Sequence, residues 1–463
     1  MTSTVELPLW LFLLILLFAA VTFASHFLFP SVRWFFRRRM ERVVAKLNQR
    51  LERPIQPFKL LRRHDMIQRL IYDPEVTEAI VEHARRNGVR EDVAFQTATR
   101  YAREIVPAFS ASAYFGFAIR VSRWMSTSLY RVRLGHYDDA AFRKIDGEAT
   151  VVFVMNHRSN MDYVLVTYLA AERSALSYAV GEWARVWPLS QVLKAMGAYF
   201  IRRRSRNALY RKVLARYVRM ATDAGVAQAM FPEGGLSLNG ALAEPKMGLL
   251  NYILDGFHPD GRDVVFVPVA LNYDRVLEDR ILIAAGEAGE RRFRARVSVV
   301  AGFLVKQVWL RLTGRFHRFG YAAVSFGNPL SLAEYIRREG DAVDTLAQEL
   351  MGRIAQVVPV LPVPLVAYLL QRGPLDRAGI ERAFSRALDA MPSAHVHLPR
   401  DSRDYAVEVG LRMLSERRLI RQADGVYSVA PGQEKALTFY ANSIRHLLDP
   451  AAASRQDAAT AGS

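Results

Sequence analysis

The chain has 463 residues, 51% of them hydrophobic and 23% charged, and no cysteine. That composition supplies a sizeable core and excludes global disorder, disulfides, thiol nucleophiles and thiolate metal sites. The 63 Lys and Arg against 45 Asp and Glu leave a net charge of +18, which calls for an anionic partner: nucleic acid, anionic lipid or a phosphate-bearing substrate.

Leu7–Phe29 contains no Asp, Glu, Lys or Arg. As a helix it would span about 34 Å, enough for a bilayer core. Trp10 sits at one end and Trp34 with Phe35 at the other, and Arg33, Arg37, Arg38, Arg39 and Arg42 cluster just beyond. Positive flanks stay inside, so a retained single-pass anchor is expected, with the body of the chain cytoplasmic. A cleavable signal peptide fits poorly, because the run is too long, starts without positive charge and is followed by no A-x-A site. Residues 31–140 read as helices, with helical spacing at Ala94–Val106 and Phe115–Tyr130.

The central region alternates short apolar runs with helical stretches. Strands are predicted at Val151–Met155, Ser177–Val180, Ala198–Ile201, Val226–Phe231, Val264–Ala270 and Ala322–Phe326. Helices are predicted at Met161–Ala171, Asn207–Thr222 and Met247–Leu254. Such alternation predicts an α/β fold, with a largely parallel sheet flanked by helices.

The first strand runs into Asn156-His157-Arg158-Ser159-Asn160, and Asp162 opens the next helix. A histidine at the carboxyl end of a strand stands where open α/β sheets place their chemistry. Five residues along one helix is about 500°, so His157 and Asp162 meet only if His157 precedes the helix and the chain folds back. Asp162 would then fix the imidazole tautomer and leave the other nitrogen as a base. A blander reading competes, since Ser159-x-x-Asp162 is also a capping box.

Three later strands end in polar clusters. Gly197–Ile201 runs into Arg202, Arg203 and Arg204, whose forks suit phosphate oxygens. Phe231-Pro232 leads to Glu233, Gly234 and Gly235, with Lys246 at a helix start nearby; the glycines allow close backbone approach to a ligand. In Val267–Asp274, Pro268 argues for an edge strand or a bulge near a cleft. Farther on, the basic and aromatic Val297–Phe319 reads equally as a bilayer-surface stretch or a buried helix with basic ends. Val357–Leu370 is apolar but proline-broken and too short to span a bilayer. Leu375–Leu448 reads as mainly helical with a strand at Gly425–Val429, and Ala451–Ser463 as a disordered tail. The expected division is 1–30 anchor, 31–140 helical, 141–330 catalytic, 331–448 mainly helical and 449–463 tail.

Taken together, N-H-R-S-N-M-D-Y, G-A-Y-F-I-R-R, F-P-E-G-G and V-P-V-A resemble the four ordered blocks of the glycerolipid acyltransferase family. The likeness is nearest to bacterial membrane glycerol-3-phosphate and dihydroxyacetone-phosphate acyltransferases. It reaches from Arg103-Glu104-Ile105 upstream to Phe439–Leu447, similar to that group's Y-Y-R-N-N-I-x-H-L-F, and so covers roughly residues 60–450. One departure stands out: Leu236 and Leu238 replace arginines of the third block, which in the family help hold the acceptor's phosphate. The resemblance implies direct acyl transfer from acyl-CoA or acyl carrier protein to glycerol 3-phosphate, at a bacterial inner membrane rich in anionic lipid. It makes His157 and Asp162 catalytic. It gives Arg158, Ser159, Arg202, Arg203, Glu233, Gly234, Gly235, Lys246 and Pro268 to substrate binding, with no metal, no cofactor beyond the acyl carrier and no nucleic acid. Another acceptor, such as 1-acylglycerol 3-phosphate or a different lipid hydroxyl, is the alternative. A serine hydrolase would need a G-x-S-x-G elbow, and Gly235-Leu236-Ser237-Leu238-Asn239 lacks its second glycine. A tethered nucleic-acid binder is the non-enzyme rival, since Tyr405–Val429 has the pattern of a winged helix.

Overall fold

The computed structural model describes residues 8–17, 38, 42, 44–169, 175–181, 189–202, 205, 207–289, 313, 318–340 and 343–449. The chain divides into two compact units, Met1–Ile55 with Glu172–Ser174, and Gln56–Ala171 with Ala175–Ser463. In the first, residues 9–17 are helical and expose Leu9, Trp10 and Phe12 to Leu17. No helix among the described residues is long and apolar enough to cross a membrane. Only 8–17 of the predicted Leu7–Phe29 anchor fall among them; the remainder of that run lies outside, as do most of Val297–Phe319 and the tail from 450 onward.

The second unit is built on an eight-stranded sheet. Its strands are β1 (Arg131–Leu134), β2 (Thr150–Met155), β3 (Ser177–Gly181), β4 (Tyr199–Ile201), β5 (Gln228–Met230), β6 (Val264–Tyr273), β7 (Tyr321–Phe326) and β8 (Leu330–Ser331). Their order is β1-β7-β6-β2-β5-β3-β4, with β8 also on β6. β6, β2, β5, β3 and β4 run parallel, whereas β7 and β8 pair antiparallel to β6. Every residue of β2 and of β6 is buried. Helices covering both faces account for that, and for why these strands read as near-continuous apolar runs. β1 was not legible, because R-V-R-L is polar and mostly exposed.

The expectation drawn from Pro268 is corrected: β6 is an interior strand. Pro268 falls in the gap between the β8 register, which ends at Phe266, and the β7 register, which begins at Val269. Its carbonyl accepts from Gly327 N at 2.8 Å. The N–H it lacks thus falls outside both antiparallel registers of β6.

Helices Arg63–Ile71, Pro74–Asn87 and Glu91–Ile105 pack against Ala208–Asp223. In the C-terminal part, Pro362–Leu370 packs against Arg403–Glu416 and Glu434–Leu448 and is buried at all nine positions, so its apolar run is core. Asp274, at the end of β6, accepts Tyr321 N at 2.8 Å and Val363 N at 2.9 Å. One buried carboxylate thereby ties β6 to β7 and to the N-terminus of that helix. Strands β9 (Leu375–Asp376), β10 (Ile420–Ala423) and β11 (Val426–Val429) form a small antiparallel sheet beside Arg403–Glu416. That helix exposes Arg403, Asp404, Glu408, Arg412 and Glu416, a face of both signs.

Candidate active site

β2 delivers Asn156 and His157 to the carboxyl end of the parallel strands. The Asn156 amide donates to Leu271 O at 3.0 Å and accepts Leu271 N at 2.8 Å, so its side chain prolongs the ladder to β6 after the β2 backbone turns away. His157 therefore lies ahead of the helix Met161–Leu169, and the chain folds back through Arg158–Asn160. This brings His157 Nδ1 to 2.9 Å from Asp162 Oδ2, with both side chains buried. The same oxygen accepts Arg158 N at 2.7 Å and Ser159 N at 3.0 Å, and Oδ1 accepts the Tyr273 hydroxyl at 2.6 Å. An ionised carboxylate only accepts, so Nδ1 carries the proton and Nε2 is the basic nitrogen. The capping-box bond, Ser159 N to Asp162, and the histidine bond are thus two uses of one carboxylate. The imidazole stacks on Phe231 with centroids 4.0 Å apart and meets the edge of Tyr163 at 5.5 Å, which fixes its plane.

β5 brings the second carboxyl. Glu233 Oε1 accepts His157 N at 2.9 Å and Oε2 accepts Ala243 N at 3.1 Å. Burial pushes its carboxyl up to about 8, against the pull of those two N–H groups and of Arg158. Gly234 has φ 67°, and a Cβ there would come within 2.8 Å of Lys246 Cδ, so only glycine lets the Lys246 stem lie across the turn. Gly235 follows, half-buried, and Lys246 itself is exposed.

The remaining predicted residues are placed differently from one another. Arg158 is buried, donates from Nη1 to Gly240 O and lies 5.2 Å over the Phe439 ring. Its Nε and Nη2 have no hydrogen-bond partner among the described residues. Ser159 donates to Glu278 Oε2 at 2.8 Å, and Glu278 Oε1 accepts Asn160 N at 3.0 Å. Arg202 is held by Glu104 through two bonds of 2.8 and 2.7 Å and lies over the rings of Tyr101 and Tyr210 at 5.2 and 5.4 Å. Arg203 lies outside the described residues. Leu236 and Leu238 are half-buried against the core, and Leu238 packs on Gly286. Pro268 is a buried residue of β6, Cα-paired with Val154. Sequence reasoning missed Tyr273 and Asn156, although both lie in stretches it singled out. It had no signal for Glu278.

A buried histidine–carboxylate couple at the carboxyl end of a parallel sheet, its backbone tethered by a second carboxyl, has the arrangement a general base requires. Residues 137–272 match the family model described as Acyltransferase, and 309–454 that of the glycerol-3-phosphate acyltransferase C-terminal region. The chain is 29% identical over 423 residues to a glycerol-3-phosphate acyltransferase of Pseudomonas syringae pv. tomato, covering 83% of this chain and 48% of that one. The corresponding enzyme of Shewanella loihica is 27% identical over 445 residues, covering 88% and 53%. The resemblance to the glycerolipid acyltransferase family therefore stands on both halves of the chain as well as on the four short blocks. The chain spans about half the length of the curated relatives it matches. A solved 1-acyl-sn-glycerophosphate acyltransferase of Thermotoga maritima aligns at 17% identity over 52% of this chain and 79% of its own, with a TM-score of 0.29, too low to bear on the fold.

The raised Glu233 carboxyl sets a pH dependence. With a folded value of about 8 against an ordinary 4.5, its contribution to stability is fully present below the lower value and is lost as pH rises through the upper one. Glu233→Gln removes this titration, so the melting temperature of the parent minus that of the variant should fall between about pH 5 and about pH 8.5. Thermal melts across that range check it, and a difference that rises with pH would contradict the assignment.

Proposed function

We propose that the chain is an O-acyltransferase that moves a fatty acyl group from an acyl thioester to the hydroxyl of glycerol 3-phosphate, the first step of phospholipid synthesis. The observation that carries the reading is the His157–Asp162 couple, buried at the strand end with Nδ1 2.9 Å from Oδ2. His157 Nε2 takes the proton of the acceptor hydroxyl while Asp162 stabilises the imidazolium. The new alkoxide attacks the thioester carbonyl, the carbon–sulfur bond breaks, and the leaving thiolate recovers the proton from the imidazolium. The donor is acyl-CoA or acyl carrier protein, either of them anionic and suited to a chain of net charge +18.

In this reading Arg158, Ser159 and Glu233 act on the site's own backbone, and Arg203 and Lys246 serve the acceptor phosphate, on the strength of their sequence positions just after a strand and just before the helix Gly248–Leu254. A second reading rests on Leu236 and Leu238, which stand half-buried where the family has arginines: a more apolar acceptor, such as 1-acylglycerol 3-phosphate or another lipid hydroxyl. The chain is also proposed to be anchored by Leu7–Phe29 with its body cytoplasmic, a reading supported by the exposed apolar side chains of 9–17 and by the arginine cluster that follows the run.

His157→Ala should lower kcat for acyl transfer by about two to four orders of magnitude with the fold intact, and Asp162→Asn should act in the same direction. Assays of membranes with labelled acyl-CoA check both. Activity of His157→Ala within about threefold of the parent would remove the base from this position.

Arg203→Ala should raise the acceptor KM more than the acyl-donor KM. A panel of acceptors read by mass spectrometry decides between headgroups. Product from 1-acylglycerol 3-phosphate with none from glycerol 3-phosphate would favour the apolar acceptor.

A reporter fused after Ser463 should be cytoplasmic and the full chain should sediment with membranes. A periplasmic reporter would refute the orientation.

A further inference from the structure

The C-terminal block Phe439–Leu447 takes no part in the chemistry above, yet its helix Glu434–Leu448 touches the site from behind. Asn442, 3% exposed, donates from Nδ2 to Asn239 O at 2.9 Å. One residue on, Gly240 has φ 86°, and a Cβ there would lie 1.8 Å from Phe439 O, so loop and helix meet backbone to backbone. Next in the helix, Ser443 Oγ accepts from Asn272 Nδ2 at 3.2 Å, beside the Tyr273 that holds Asp162.

The loop that Asn442 grips belongs to a closed ring of bonds through the base. Ser237 N donates to His157 O at 2.9 Å. Gly240 N donates to Ser237 Oγ at 3.0 Å. Gly240 O accepts Arg158 Nη1, and Arg158 is joined to His157 by a peptide bond. A shift of Asn239–Gly240 therefore moves both the carbonyl side of His157 and the guanidinium next to it. Arg158 makes this ring sensitive, since two of its nitrogens lack partners and its cation offsets the buried Asp162 and Glu233.

We infer that Glu434–Leu448 is a positioning element of the active site, with Asn442 holding the loop after Glu233 and, through it, the backbone of His157. This rests on the acyltransferase reading for its kinetic consequence but not for its geometry. Asn442→Leu keeps the branching at Cγ and removes the donor, and Thr438→Val, on the same helix but bonded to Gln371, serves as the comparison.

The test uses the full chain and two readouts. For Asn442→Leu, kcat should fall about 10-fold to 100-fold, the scale of a displaced catalytic group, with both KM values within about threefold. Amide hydrogen exchange in 156–160 and 234–243 should quicken by about fivefold or more while that of β2 and β6 is unchanged. Thr438→Val should alter neither. Unchanged exchange in those two segments overturns the inference, as does a variant that melts lower but keeps the parent's kcat per folded molecule. If the parent itself transfers no acyl group, the functional reading fails on its own, and the exchange data still decide whether Asn442 positions the loop.

Discussion

The site depends on one buried carboxylate. Asp162 is inaccessible to solvent, and an ionised group there is sustained only by partners that replace its water. It has four: the imidazole, two backbone N–H groups of the turn and the Tyr273 hydroxyl. Those bonds force the turn to close over the helix end and bring β6 beside β2. Asn156, one residue before His157, meets the same demand by pairing with Leu271 in both directions. The strand end is thus shaped by the need to satisfy buried polar groups, and the histidine takes its place in that scheme.

Charge in this region is arranged in layers. Asp162 and Glu233 are both buried, and the Asp162 carboxylate opposes the ionisation of Glu233. Arg158 supplies the buried positive charge between them and is itself covered by Phe439. Glu278 stands beyond, holding Ser159 and Asn160. Acidic, basic and aromatic groups from β2, β5, the loop after Glu233 and the last helix therefore form one electrostatic unit.

Arginine placement shows how far residue type alone carries an argument. Arg158 and Arg202 stand at strand ends where a phosphate reader is expected, yet both are engaged by the protein, one with Gly240 and Phe439, the other with Glu104 beside two tyrosines. A guanidinium fork fits a carboxylate as well as it fits a phosphate. Only the third dimension tells which it has met.

The sequence by itself determined the alternation of strands and helices, the turn carrying His157, and the order of the blocks that resemble an acyltransferase. All are local signals, set by side-chain periodicity and by composition over a few residues. It read Pro268 as marking an edge strand or a bulge because proline lacks a donor, and it could not see that β6 changes antiparallel partner at that point. Which groups hold the site was decided by tertiary structure alone. Glu233 reaches His157 across 76 residues, Tyr273 reaches Asp162 across 111, and Asn442 reaches Asn239 across 203. Such partners depend on strand register and helix packing, and a single tyrosine, glutamate or asparagine in the chain carries no mark of the buried oxygen or N–H it will satisfy.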